Sequence, residues 1–219
     1  KANHRRNMPT RLAVIVAALV FALAALALGA YVVIQDRERI VESGGDGSLA
    51  GAPIGGPFEL TDHTGRRVTQ ADFAGKFLLV FFGYTWCPDI CPTTLNTVAL
   101  TMQALGPDAG RVQPLFVTID PERDTQQVLA EYVALFDAGI VGLTGSEDEI
   151  AAIAKAYRVH YRKAEIEGDP DNYLMDHSTI VYLMAPDGTF VSIFRHDDPP
   201  ADIAAEIAAE FKNSGGAGS

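Results

Sequence analysis

The chain has 219 residues, 48% of them hydrophobic and 21% charged. That suffices for one ordinary domain with additional segments and excludes a chain disordered throughout. A formal charge of −11 argues against a nucleic-acid partner, and two cysteines exclude a disulfide-rich scaffold or an all-cysteine zinc site.

The charge is unevenly spread. Residues 1–11 carry Lys1, Arg5, Arg6 and Arg11 and no acid. Leu12 to Ile34 then runs for 23 residues without a charge. At ~1.5 Å per residue, such a helix is roughly 34 Å long and crosses a ~30 Å hydrocarbon core. Its apolar residues go all the way round, unlike those of a helix packed on one face. A cleaved signal peptide has a shorter apolar region, and Tyr31 to Asp36 is a poor cleavage context. The span is therefore expected to be a transmembrane helix behind a cytoplasmic N-terminus, residues 1–11. Residues 35–56 are rich in Gly and Ser and read as a flexible linker. Residues 57–212 read as the folded domain and 213–219 as a disordered tail. About eleven residues before the span are too few for a mitochondrial transit peptide plus an anchor. The expected location is a bacterial inner membrane, single-pass, with the domain in the periplasm.

Phe58–Leu60 and Arg67–Thr69 flank a TDHTG turn and predict a small hairpin. Phe77 to Phe82 is a continuous apolar run before Gly83, the pattern of a strand buried on both faces. Thr93 to Leu105 has apolar residues at helical spacing: Leu95, Val98, Ala99, Met102 and Leu105. Val112 to Ile119 reads as a second buried strand. Thr125–Phe136 and Ser146–Tyr157 read as helices, the latter opening with a capping box, Ser146 to Glu149. Tyr161 to Asp176 reads as a long acidic surface excursion, mobile without metal. Thr179–Met184 and Phe190–Phe194 are expected strands joined by the turn Ala185-Pro-Asp-Gly188. Ala201–Phe211 is a final amphipathic helix. This order predicts an α/β, thioredoxin-like domain: a mixed sheet with helices on both faces.

The chemistry centres on Cys87 and Cys91, in Gly83-Tyr-Thr-Trp-Cys87-Pro-Asp-Ile-Cys91-Pro. Residues i and i+4 of a helical turn share a face, so the two sulfurs converge. A helix N-terminus beside them favours thiolates and predicts lowered pKa values for both thiols. Redox exchange and soft-metal binding both remain open. A structural disulfide would close too short a loop to stabilise much. Three residues between the cysteines, rather than the two of a thioredoxin-type oxidoreductase, leave room for a metal ion. Copper would need a further donor, and imidazole suits it. Of the five histidines, His4 precedes the span, His63 lies in a turn, His160 follows a helix and His196 sits beside Asp197-Asp198. His177 stands at the start of the expected Thr179–Met184 strand, which in a thioredoxin-like sheet lies against the dicysteine helix.

Cys87-Pro-Asp-Ile-Cys91-Pro, Asp120-Pro-Glu-Arg-Asp124-Thr and Asp176-His177-Ser178, in this order, resemble the Sco/SenC/PrrC family of membrane-anchored copper proteins. The resemblance covers about Pro57 to Phe211. Thioredoxins carry a cis-proline where this chain has His177-Ser178-Thr179. The resemblance implies copper, as Cu(I) and Cu(II), held by Cys87, Cys91 and His177. It implies a metallochaperone for the binuclear copper site of cytochrome c oxidase subunit II, anchored through Leu12 to Ile34. Other copper chaperones or thioredoxin-like reductants are the further partners it implies. The alternative is a thiol-disulfide reductase or redox-signalling protein using Cys87 and Cys91 as a redox-active dithiol. Asp89 is expected to tune the cysteines, contact a partner or face solvent. Asp120, Pro121 and Asp124 are expected to hold the site loop, and Tyr84 and Trp86 to shield the site or pack in the core.

Overall fold

A computed structural model of the chain describes residues 54–166 and 169–215, with side chains 165–171 and 214–215 left aside. The expected N-terminal stretch and the Leu12–Ile34 span lie outside the described residues, as does the linker up to residue 53. Among the described residues, no helix is long and apolar enough to cross a membrane.

The domain opens with the expected hairpin, β1 (Glu59–Asp62) and β2 (Arg67–Thr69), antiparallel with Leu60 opposite Val68. Next come β3 (Phe77–Gly83), α1 (Ile90–Leu105), β4 (Val112–Thr118) and α2 (Gln126–Val133). They are followed by β5 (Val141–Thr144), α3 (Glu147–Ala156), β6 (Tyr161–Ile166) and β7 (Asp169–His177). β8 (Ile180–Met184), β9 (Phe190–Arg195) and α4 (Pro200–Gly215) complete the chain. Seven strands form one mixed sheet in the order β2-β1-β5-β4-β3-β8-β9. β3, β4 and β5 run parallel; β8 pairs antiparallel with β3.

β3 is central because all seven of its residues are apolar or glycine and all are buried. On one face Phe81 meets Phe116, and Phe77 meets Phe211 of α4 edge-on at 5.2 Å. On the other, Phe82 packs against Tyr157 at the end of α3 and Tyr182 of β8. α1 buries Cys91, Leu95, Val98, Ala99 and Leu105, a helical stripe. Its buried Thr94 and Thr101 satisfy their hydroxyls on the carbonyls of Ile90 and Thr97. The capping box of α3 is formed, with Ser146 and Glu149 bonding each other's backbone N–H.

Three expectations need correction. β5, between two expected helices, carries no clear strand pattern: it is only four residues long, contains Gly142 and follows Gly139 closely. The excursion from Tyr161 to Asp176 is a β-hairpin, with Tyr161 opposite His177 and Lys163 opposite Met175. Its charges mark an exposed ribbon, which hides strand alternation. His177 consequently ends β7 rather than starting β8. At the edges of the domain, Ile54 is buried and the Gly55 amide donates to the Ala156 carbonyl at 3.0 Å. α4 runs through residues 213–215, and 216–219 lie outside the described residues.

Candidate metal centre

The site lies where β3 and β4 end side by side, the carboxyl edge of the parallel strands. Gly83 closes β3, and a Cβ there would meet the Cys91 sulfur and the Phe116 ring, both at 2.8 Å. The absent side chain lets the helix bring its cysteine onto the sheet. The chain then turns, with the Cys87 amide donating to the Tyr84 carbonyl at 3.3 Å. Asp89 occupies the N-cap of α1, yet its side chain makes no capping bond. The Cys87 sulfur accepts from the Cys91 amide instead, at 3.3 Å. A sulfur thus takes up one of the unpaired N–H groups of the helix start. Asp89 itself is exposed, with a 3.5 Å contact to the Thr93 hydroxyl.

This placement separates the two thiols. Cys87 is half-buried, and its pKa is drawn down to about 3. The Cys91 thiol directed at it is the main cause; the backbone amides of Asp89 and Cys91 add to it against the opposing effect of burial. Cys91 is fully buried, and its pKa moves up, because it sits beside the Cys87 thiolate and is desolvated. The expectation of two lowered thiols fails for Cys91: proximity to a first thiolate outweighs the helix terminus.

His177 arrives from the end of β7. Its Nε2 lies 3.5 Å from the Cys91 sulfur, and its Nδ1 lies 2.9 Å from the Ser178 carbonyl oxygen. A carbonyl only accepts, so Nδ1 carries the proton and the Nε2 lone pair faces the sulfurs. Tyr84, buried as expected, stands edge-on to the imidazole at 5.8 Å. The two sulfurs and an imidazole nitrogen lie within 4.8 Å of one another. Donors bound to one ion at ~2.0–2.3 Å lie within roughly 4.6 Å of each other, so little movement is needed to close the set. Two thiolates and a neutral imidazole make a soft donor set that suits copper.

The remaining histidines stand elsewhere. His63 Nδ1 accepts from the Gly142 amide at 3.1 Å, His196 lies 4.0 Å from Asp197, and His160 is exposed. His4 is outside the described residues. All described peptide bonds are trans, the His177-Ser178-Thr179 segment included.

The segment from Asp120 to Asp124 holds both parts of the site. Asp124 is fully buried and accepts from the Thr85 amide (3.1 Å), the Thr85 hydroxyl (2.6 Å) and the Thr118 hydroxyl (2.6 Å). It pins the cysteine loop to β4. Burial pushes its pKa up, against the lowering effect of those donors. Asp120, also buried, accepts from Arg123 and from the Tyr173 hydroxyl (2.8 Å) in β7. Trp86 is 60% exposed and so does not pack in the core; its ring lies 5.6 Å from the Arg123 guanidinium. Sequence reasoning overlooked Gly83, Arg123 and Tyr173 as site residues. Gly83 carries a signal, a glycine between an apolar run and a cysteine, whereas Tyr173 lies in a segment whose sequence reads as a loop.

A family model described as SCO1/SenC matches residues 46–212. The chain is 42% identical to Protein sco1 of Schizosaccharomyces pombe over 194 residues, covering 86% of this chain and 74% of that protein. It is 43% identical to the mitochondrial SCO1 homologue of Homo sapiens, covering 73% of this chain and 53% of the human protein. The chain thus spans about half the length of that human relative. The copper-bound structure of Bradyrhizobium japonicum ScoI superposes with a TM-score of 0.67 at 43% identity, over 71% of this chain and 98% of that one. The matched span contains the dicysteine loop, the Asp120–Asp124 segment and His177 together, and the chain belongs to the SCO1/SenC family.

Proposed function

We propose that this protein is a copper metallochaperone of cytochrome c oxidase assembly, with Cys87, Cys91 and His177 as the ligands of its cargo. The observation that carries this reading is the convergence of two sulfurs and one imidazole nitrogen within 4.8 Å. The copper-bound relative supports it. Two thiolates favour Cu(I), and the imidazole serves both Cu(I) and Cu(II). Transfer proceeds by ligand exchange: an acceptor thiolate takes a place on copper as Cys87, the more exposed ligand, leaves, so no free ion is released. The acceptor in this reading is the binuclear copper site of cytochrome c oxidase subunit II, with other copper chaperones as donors.

The proposal extends to the layout of the chain. Leu12 to Ile34 anchors the domain in a bacterial inner membrane, and residues 35–56 tether it in the periplasm. Sharing a membrane with the acceptor raises the effective concentration of the two partners. Anaerobic Cu(I) titration of the full chain in detergent tests the site. One equivalent per chain is expected, lost in Cys87→Ser and Cys91→Ser. Unchanged stoichiometry in both variants would sink the reading.

A second reading, thiol-disulfide reductase, is favoured by one specific observation: a half-buried Cys87 sulfur that accepts from the Cys91 amide at 3.3 Å, beside a buried Cys91. The Cys87 thiolate attacks an acceptor disulfide, forming a mixed disulfide and releasing one acceptor thiolate. Cys91, giving up its proton, then attacks the Cys87 sulfur and releases the second. The acceptor gains two electrons, and the chain is left with a Cys87–Cys91 disulfide that a thioredoxin-like reductant must reopen. Disulfide exchange does not need His177. Retention of full oxidase assembly by His177→Ala would favour the reductase over the copper carrier.

A further inference from the structure

The hairpin that carries His177 pairs with no strand of the seven-stranded sheet. A two-stranded ribbon is marginal by itself in water. The position of His177 relative to the cysteines therefore depends on what clamps β7 to the body of the domain.

Arg123 is placed to be that clamp. Its Nε donates to Asp120, and its Nη1 donates to the Tyr173 carbonyl at 3.0 Å. Its guanidinium lies over the Tyr173 ring at 3.6 Å, and the Tyr173 hydroxyl returns to Asp120 at 2.8 Å. Tyr173 is four residues before His177 on the same strand. Arg123 also faces the cysteine loop, 5.9 Å from the Tyr84 ring and 5.6 Å from the Trp86 ring. Tyr84 in turn abuts the His177 imidazole. One side chain thus touches the loop that bears the thiols and the strand that bears the imidazole. It is held there although its Nη2 is buried with no hydrogen-bond partner among the described residues. A surface ion pair would not incur that cost.

We propose that Arg123, with Tyr173, is a positioning residue that fixes the imidazole against the dithiol and so sets the preference of the site between the two oxidation states of copper. The inference rests on the ligand set proposed above. A third donor strengthens the hold on copper in either state, but two soft thiolates already bind Cu(I), whereas Cu(II) draws its borderline donor from the imidazole. Loosening the clamp therefore weakens Cu(II) binding and spares Cu(I). Lysine keeps the charge but cannot make the forked bonds or stack in the same way.

The test uses the full chain in detergent with Arg123→Lys, Tyr173→Ala and His177→Ala. In metal-free protein, amide hydrogen exchange at residues 173–177 is expected to accelerate about tenfold or more in the first two variants, with 77–83 unchanged. With anaerobically added metal and competing chelators, their Cu(II) dissociation constant is expected to rise at least about tenfold and their Cu(I) constant to stay within about threefold. The Cu(II) absorption spectrum should move toward that of His177→Ala. Tyr173→Ala carries the test if Arg123→Lys does not fold. Equal losses of Cu(I) and Cu(II), or exchange and Cu(II) binding like the parent's, overturn the inference. The two readings fail separately. Normal Cu(II) binding by His177→Ala removes the ligand assignment itself. Loss in His177→Ala alone removes only the clamp.

Discussion

The two halves of the site are built to different standards of rigidity. The cysteines ride on the junction of β3 and α1, where every β3 residue is buried and Asp124 ties the loop down from below. The histidine rides on a ribbon outside the main sheet, held by the Arg123 bracket, the Tyr173 hydroxyl on Asp120 and the exposed Lys163–Glu122 pair. In the proposed reading, this contrast lets one site hold copper and still let it go. The two candidate sulfur ligands are anchored in the core. The candidate imidazole ligand sits on the element with the least independent stability, the kind of element from which moving parts are drawn.

The sharpest way to break the rigid half is to remove its sulfurs. Cys87→Ser or Cys91→Ser should weaken Cu(I) binding at least about a thousandfold, because binding energies on the order of ten kcal/mol are shared among few ligands. Competition with a Cu(I) chelator reads this directly. Asp124→Ala comes next: it strands the Thr85 and Thr118 donors in a buried site and should cost about 2–4 kcal/mol of folding stability. Urea unfolding of the apo protein measures it. On the other half, Asp176→Ala removes an exposed partner of Arg162 and should change stability by less than about 0.5 kcal/mol. Equal costs for the two substitutions would erase the contrast between the halves.

The split between the thiols gives a pH prediction. Thiolate is the reactive form, so an ordinary thiol alkylates about tenfold faster per pH unit below its pKa. With its pKa near 3, Cys87 is ionised throughout the neutral range, and its iodoacetamide rate should be flat from about pH 5 to 8. Cys91, buried with a raised pKa, should stay unlabelled in the native protein. The linkage follows in sign. Folded Cys87 binds its proton less readily than the unfolded thiol, whose ordinary value is 9.0. Its contribution to apo stability is complete above pH 9 and is lost as the pH falls toward 3. Cys91 contributes with the opposite sign, its share being lost as the pH rises above 9 toward its higher folded value. Mass spectrometry after alkylation across this range checks both thiols. The smallest effect is expected at Trp86: Trp86→Ala removes a largely exposed ring and should leave stability within about 0.5 kcal/mol.

The parts whose signal is local can be read from neighbouring residues alone. The apolar run of β3, the helical stripe of α1, the capping box of α3 and the Pro-Asp-Gly turn before β9 are each encoded within a few residues. The i, i+4 spacing of the cysteines points to converging sulfurs, but Cys87 precedes α1, so the turn before the helix, and not a helical turn, brings them together. Tertiary structure alone decided what depends on distant neighbours. The pairing of β6 with β7 could not be read, because an exposed ribbon of mixed charges has no buried face to impose alternation. The opposite shifts of the two thiols follow from the Cys91 thiol being directed at Cys87, with Cys91 also desolvated where residues 83, 91 and 116 come together. Arg123 was visible only as one charge in a short motif. Its placement between the thiol loop and the histidine strand exists because β3, β4 and β7 end at the same place, and no local pattern specifies where separate strands end in space.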